Sequence, residues 1–187
     1  MTAILEIPEV RQRVSRLSVA EYHRLEEFNK NGKRTEFIRG IVFEKMSKSP
    51  LHATIVTRLF KLLLRVLPPG YTARVEQPLT LADSEPEPDI SVMRGQDSDF
   101  KNAHPATAAL VIEIAVSSAG LDRELALLYA EAGVEEYWIV LGQEQSVEVY
   151  RVPVNGVYQE KTTSFADATI ISSSVPSVTV PLREIFG

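Results

Sequence analysis

Apolar and polar positions along the chain alternate in a way that sets out short strands separated by a few helices. Leu110 to Val116 reads Leu-Val-Ile-Glu-Ile-Ala-Val, a brief β-branched run of the kind that forms a buried strand. Glu136 to Val140, Asp89 to Met93 and Tyr71 to Thr80 read as further strands. The helical period appears after Ser49-Pro50, where Leu51, Ile55, Leu59, Leu62, Leu63 and Val66 form one apolar stripe that Pro68-Pro69-Gly70 stops. Asp122 to Ala132 is a second helix, closed by Gly133. Nearer the start, Ser18-Val-Ala-Glu21 is a capping-box pattern, which predicts a helix to about Asn29 ended by Asn31-Gly32. Thr35 to Met46 reads as a hairpin broken near Arg39-Gly40. Ser84-Glu-Pro-Glu-Pro88 is too proline-rich for regular structure. Val147 to Val180 is strand-rich, with turns expected at Pro153 and Asn155-Gly156, and a short helix begins near Leu182. The pattern is that of an α/β chain with a mixed central sheet.

Composition narrows the picture. With 187 residues, 44% of them hydrophobic, the chain suits a single domain, residues 1–187, with a sizeable core. No apolar stretch approaches the roughly 20 residues that a membrane span needs. The opening Met1-Thr-Ala-Ile-Leu-Glu-Ile-Pro carries an acid and lacks the pattern of a signal peptide, so a cytoplasmic protein is expected. The absence of cysteine excludes disulfides, thiolate chemistry and cysteine metal sites, leaving oxygen ligands or His23, His52 and His104 for any metal. A net charge of -5 argues against a general polyanion binder, while leaving room for a local basic face.

Candidate chemistry centres on two carboxylates. Glu113 stands among Val111, Ile112, Ile114 and Val116, where an unpaired charge costs several kcal/mol and calls for a partner or a metal ion. Asp89, 24 positions earlier, begins another predicted strand. If the two converge, their oxygens suit Mg²⁺ or Mn²⁺, ions that keep several waters and accept phosphate oxygens as further ligands. The alternative is structural, with Asp89 capping a strand after Pro88 and Glu113 paired to an arginine.

Several motifs together carry a resemblance. Glu85-Pro-Glu-Pro-Asp89-Ile, Val111-Ile-Glu113-Ile-Ala with Ser117-Ser118, and Asp122 through Tyr129 to Gly133-Val-Glu-Glu-Tyr137-Trp138 resemble the Uma-two family of restriction endonucleases, in the PD-(D/E)XK nuclease superfamily. The likeness extends to Glu36-Phe-Ile-Arg-Gly40, Glu44-Lys-Met46-Ser47, His52 and Leu182-Arg-Glu-Ile-Phe186, so it covers nearly the whole chain. It implies a restriction-endonuclease-like αβββαβ core over residues 18–140, an extension over 1–17 and a strand-rich part with additional C-terminal strands over 141–187. It also implies a homodimer, DNA as partner, and Mg²⁺ or Mn²⁺ held by Asp89 and Glu113 with the backbone carbonyl of Ile114 as an extra ligand.

The chain departs from that pattern at one point. The superfamily's lysine, two residues past the glutamate, is Ala115 here, and the position to which the Uma-two family commonly displaces it, four residues before the tyrosine, is Leu125. Arg123 offers positive charge but cannot act as a base. Lys45 and Lys48 lie near the amino-terminal motif, within possible reach of the site or simply in solvent. His52 faces either the site or the apolar stripe, and Glu36 either serves a ligand or sits on an exposed strand. Ser117 is a candidate helix cap, Tyr137 and Trp138 read as core, and His23 and His104 receive no role. The expectation is a Mg²⁺-dependent endonuclease hydrolysing DNA phosphodiester bonds, with Asp89, Glu113, His52 and Glu36 as catalytic candidates and activity weakened by Leu125. The competing reading is a catalytically inactive nuclease-fold module that binds nucleic acid or protein.

Overall fold

The computed structural model describes residues 7–25, 34–45 and 47–187, with the side chain of Arg11 left aside. The chain divides into two compact units, Met1–Lys45 with Asp83–Glu85, and Met46–Ala82 with Pro86–Gly187.

In the first unit, a short helix α1 (Pro8–Arg11) precedes α2 (Val19–Arg24). The expected capping box is present: the Ser18 hydroxyl accepts from the Glu21 N–H, and the Glu21 carboxylate accepts from the Ser18 N–H at 2.8 Å. The expected continuation to Asn29 and the Asn31-Gly32 stop fall outside the described residues. Strands β1 (Thr35–Ile38) and β2 (Ile41–Glu44) form the predicted hairpin around Arg39 and Gly40. Both turn residues have positive φ, 52° and 80°. Gly40 is further constrained by a close approach, since a Cβ there would lie 2.5 Å from that of Arg16. Phe37, fully buried, exchanges backbone hydrogen bonds with Glu85.

The second unit carries a six-stranded mixed sheet in the order β3 (Tyr71–Val75), β4 (Ile90–Arg94), β5 (Leu110–Ala115), β6 (Glu136–Leu141), β7 (Ser146–Val154), β8 (Val157–Phe165). Only β5 and β6 run parallel, joined through helix α4 (Ala119–Glu131), as parallel neighbours require. Helix α3 (Pro50–Val66) precedes β3, so α3-β3-β4-β5-α4-β6 is the expected αβββαβ succession. A small sheet of β9 (Thr169–Ile171) and β10 (Thr179–Pro181) and the helix α5 (Arg183–Phe186) complete the unit.

Each element follows from local chemistry. Helix α3 starts where the Ser49 hydroxyl accepts from the His52 N–H, with Pro50 at its first turn. Ile55, Val56, Leu59, Leu62 and Leu63 bury its inner face against Ile90, Ile112, Trp138 and Val149. Leu51 departs from the expected stripe and is 42% exposed, the inner position of that turn going to His52. Helix α4 begins three residues earlier than expected, and Ser118, not Ser117, stands at its amino end, donating to Asp122 at 2.7 Å. It ends as predicted at Gly133, whose φ of 71° lets its own N–H reach the Ala130 carbonyl and the Val134 N–H reach that of Tyr129. Strand β3 stops at Val75, short of Thr80, because Glu76 turns into the left-handed region at φ 53° and Pro78 follows. Pro153 is not a turn. It lies inside β7 beyond Arg151, the last residue paired to β6, so no β6 partner requires its missing N–H. The turn falls at Asn155-Gly156, both at positive φ as a two-residue hairpin demands.

The outer strands also carry a charged network. Glu148 on β7 accepts from Arg123, Tyr150 and Lys161 at 2.7–2.9 Å. Burial works to raise its carboxyl, but the hydrogen bonds from Arg123, Tyr150 and Lys161 prevail and bring it down to about 2. A group whose value falls on folding adds stability above its unfolded value, here near 4.5, and loses it as pH drops towards the folded one. Glu148→Gln is therefore expected to be less stable than the natural chain by about 2 kcal/mol at pH 7, screening by solvent included. In urea titrations that gap should close between pH 4.5 and 2.

Candidate active site

The β4–β5 register places the two carboxylates together. Ile90 pairs with Ile112 in antiparallel fashion, so the next step outward sets Asp89 against Glu113. There the ladder gives way to reciprocal side-chain bonds: the Asp89 N–H donates to Glu113 Oε2 at 3.0 Å, and the Ile114 N–H donates to Asp89 Oδ2 at 2.8 Å. Each carboxylate thus replaces a backbone acceptor at the strand end, which satisfies amides that a buried edge could not leave open. Tyr129 on α4 reaches across to donate to Glu113 Oε1 at 2.8 Å.

Asp89 collects two further groups from around the start of α3. Lys48 Nζ lies 2.7 Å from Asp89 Oδ1, and His52 Nε2 lies 2.9 Å from Oδ2. Burial works to raise the Asp89 carboxyl, but the hydrogen bond from His52 and the charge of Lys48 outweigh it and hold the group below its ordinary range. The ionised carboxylate only accepts, so His52 Nε2 is the donor. His52 Nδ1 is buried and meets no hydrogen-bond partner among the described residues. The imidazole thus faces Asp89 and not the apolar stripe. Lys48 also meets Glu76 Oε1 at 2.7 Å.

The other candidates are placed as follows. Glu36 belongs to the first unit, where Lys45 pairs with it and both are largely buried. His23, given no role from sequence, bonds both oxygens of Glu85 in that unit at 2.9 Å. His104 meets Arg74 at 3.1 Å. Arg123 forks onto Glu148. Tyr137 and Trp138 are core residues, as expected. Leu125 is 5% exposed and shares the inner face of α4 with Asp122, Ala126 and Tyr129, one turn before the tyrosine that holds Glu113. Ala115 is buried as well. Sequence reasoning missed Tyr129 and Glu76 as members of the cluster. Tyr129 had a signal in its helical spacing from Asp122, whereas Glu76, next to Gln77-Pro78, had none.

A family described as "Putative restriction endonuclease", Uma2, matches residues 19–183. The chain belongs to this family. Among solved structures, this Uma2 chain is similar to a protein from Anabaena variabilis ATCC 29413 described as a "putative nuclease belonging to DUF820". The two share 24% identity over 87% of this chain and 96% of the other, with a TM-score of 0.71, a likeness of fold. No curated protein matches. No described helix is long and apolar enough to cross a membrane.

The donor set of this Uma2 site fits a hard divalent ion. The candidate ligands are all carboxylate oxygens, those of Asp89 and Glu113, brought together at one point. Among the described residues, no three His, Asp or Glu side chains gather as a metal cage. An ion here would draw on two carboxylates and on water, a shell that Mg²⁺ commonly keeps.

Proposed function

We propose that this chain is a Mg²⁺- or Mn²⁺-dependent endonuclease that hydrolyses DNA phosphodiester bonds, with Asp89 and Glu113 as the ligands of the ion and the Ile114 carbonyl as a further one. The single observation that carries this reading is the reciprocal bonding of the two carboxylates at the β4–β5 end, supported by the family match. When bound, such an ion neutralises charge on the phosphate and acidifies a water molecule. In the reaction, a water oxygen bonds to phosphorus as one P–O ester bond breaks. One proton of that water ends on the leaving oxygen and the other passes to solvent.

The protein's own residues prepare this step. His52 fixes one oxygen of Asp89 and Tyr129 one oxygen of Glu113, so neither carboxylate must be reoriented when an ion enters. The depressed carboxyl of Asp89 keeps it charged across the physiological range.

The test is a cleavage assay on single- and double-stranded DNA with Mg²⁺ or Mn²⁺, run on the natural chain and on Glu113→Gln. Cleavage that needs the ion and falls by about 10²-fold or more in the variant supports the proposal. A natural chain that binds DNA without cutting it under either ion points instead to the inactive binding module.

A further inference from the structure

Two carboxylates from separate segments of the second unit meet at one ammonium. Lys48 Nζ stands 2.7 Å from Asp89 Oδ1 and 2.7 Å from Glu76 Oε1, and its side chain is mostly covered. A solvated lysine needs no such arrangement, because long exposed lysines lose entropy when fixed and gain little in return. The backbone of Glu76 is itself unusual. At φ 53° it occupies a conformation that non-glycine residues rarely adopt, and its N–H is shared between the Pro88 and Asp89 carbonyls at 3.2 and 3.3 Å. A strained turn, tied to the residues that deliver Asp89, thus presents an acidic side chain to Lys48. Meanwhile neither position that the motif pattern reserves for a cation can supply one, since Ala115 and Leu125 are apolar and buried.

We infer that Lys48 is the catalytic cation of this site, an ammonium delivered from the loop before α3 instead of from β5 or α4, with Glu76 as the residue that positions it. The inference rests on the hydrolytic reading above. Lys48 donates hydrogen bonds to a non-bridging oxygen of the phosphodiester and opposes the negative charge that builds there as water attacks. It acts as a fixed charge and takes no proton in the step.

The experiment measures two quantities on Lys48→Met: cleavage of duplex DNA at saturating Mn²⁺, and Mn²⁺ affinity by calorimetry. Cleavage is expected to fall about 10²-fold. Affinity for Mn²⁺ is expected to hold or to tighten by up to about tenfold, because a positive charge beside Asp89 has been removed. A fall in cleavage with Mn²⁺ affinity held or tightened is what a merely structural role would not produce. Unchanged cleavage overturns the inference, and so does a parallel loss of cleavage and Mn²⁺ binding, which would make Lys48 only a support for Asp89. Lys48→Gln, neutral but still a donor to Asp89, gives the same reading if the methionine variant fails to fold. A natural chain that does not cut overturns the hydrolytic reading and this inference together, whereas a natural chain that cuts beside an unimpaired Lys48→Met overturns this inference alone.

Discussion

Asp89→Asn is expected to lower DNA cleavage by about 10³-fold, equivalent to about 4 kcal/mol of transition-state stabilisation. The size follows from the number of roles that one carboxylate holds. Asp89 accepts from Lys48, from His52 and from the Ile114 N–H, so its charge organises three segments at once. An asparagine keeps the shape and one acceptor oxygen but loses the charge, and its NH₂ cannot accept from whichever donor it faces. Divalent-ion affinity should fall with activity, measurable by calorimetry with Mn²⁺ and no DNA present. The fold should survive, because the β4–β5 ladder from Ile90 inward does not involve the side chain. An Asp89→Asn variant that cuts at the natural rate would remove this carboxylate from the chemistry.

The largest effect on stability is expected away from that cluster, at Glu136. This residue opens β6 and is 0% exposed, yet it carries a charge, so its interactions must offset the cost of burial. Trp138 Nε1 and Arg151 Nε each donate to Oε1 at 2.9 Å, while Ser172 Oγ at 2.6 Å and the Ser173 N–H at 2.8 Å donate to Oε2. The Ser174 N–H adds a fifth bond at 3.2 Å. Burial raises this carboxyl, and the hydrogen bonds from Ser172 and Trp138 more than reverse it, leaving the group lowered and charged. Glu136→Ala leaves the Arg151 charge without its partner and the Trp138 and Ser172–Ser174 donors facing a void. A loss of about 3–5 kcal/mol is expected, which is a large part of the stability of a domain this size. The midpoint of thermal unfolding should drop by about 10 °C or more. Glu136→Gln, which retains an acceptor in the same volume, should lose less. Equal stability of the alanine variant and the natural chain would contradict this account.

The two carboxylate systems show why a buried charge in a strand is informative without being decisive. Glu113 and Glu136 occupy similar apolar surroundings in neighbouring parallel strands. Glu136 is enclosed by donors from its own sheet and from the turn after β9, which makes it a structural hub. Glu113 stands where the β4–β5 ladder ends, beside a second carboxylate and Tyr129, and its oxygens suit a hard ion. Only the partners distinguish them, and those partners come from residues far away in sequence.

Much of the fold was legible from local chemistry. The capping box at Ser18, the proline stops after α3, the glycine end of α4 and the Asn155-Gly156 hairpin are short-range arrangements whose hydrogen bonds close within a few residues, so the residue types themselves specify them. The same holds for the β-branched runs that became β5 and β6. The elements that differed from expectation are those where long-range packing or pairing overrides a local preference. Pro153 is tolerated within β7 because β6 begins opposite Arg151 and does not reach it, and Leu51 yields its inner place to His52 because the second turns towards Asp89.

At the candidate site, the sequence by itself singled out Asp89 and Glu113, because a charge in an apolar strand and a proline-led aspartate stand out against their neighbours. It also determined that no cation follows Glu113 at the usual places. Only the tertiary structure decided where positive charge comes from. Along the chain Lys48 shares with Lys45 only its place near the amino-terminal motif, and Glu76 has no distinguishing context; the fold brings both to Asp89. The physical reason is range: hydrophobic period, caps and turns act over a few residues, whereas the field at a carboxylate is set by whatever the fold brings within a few ångströms of it.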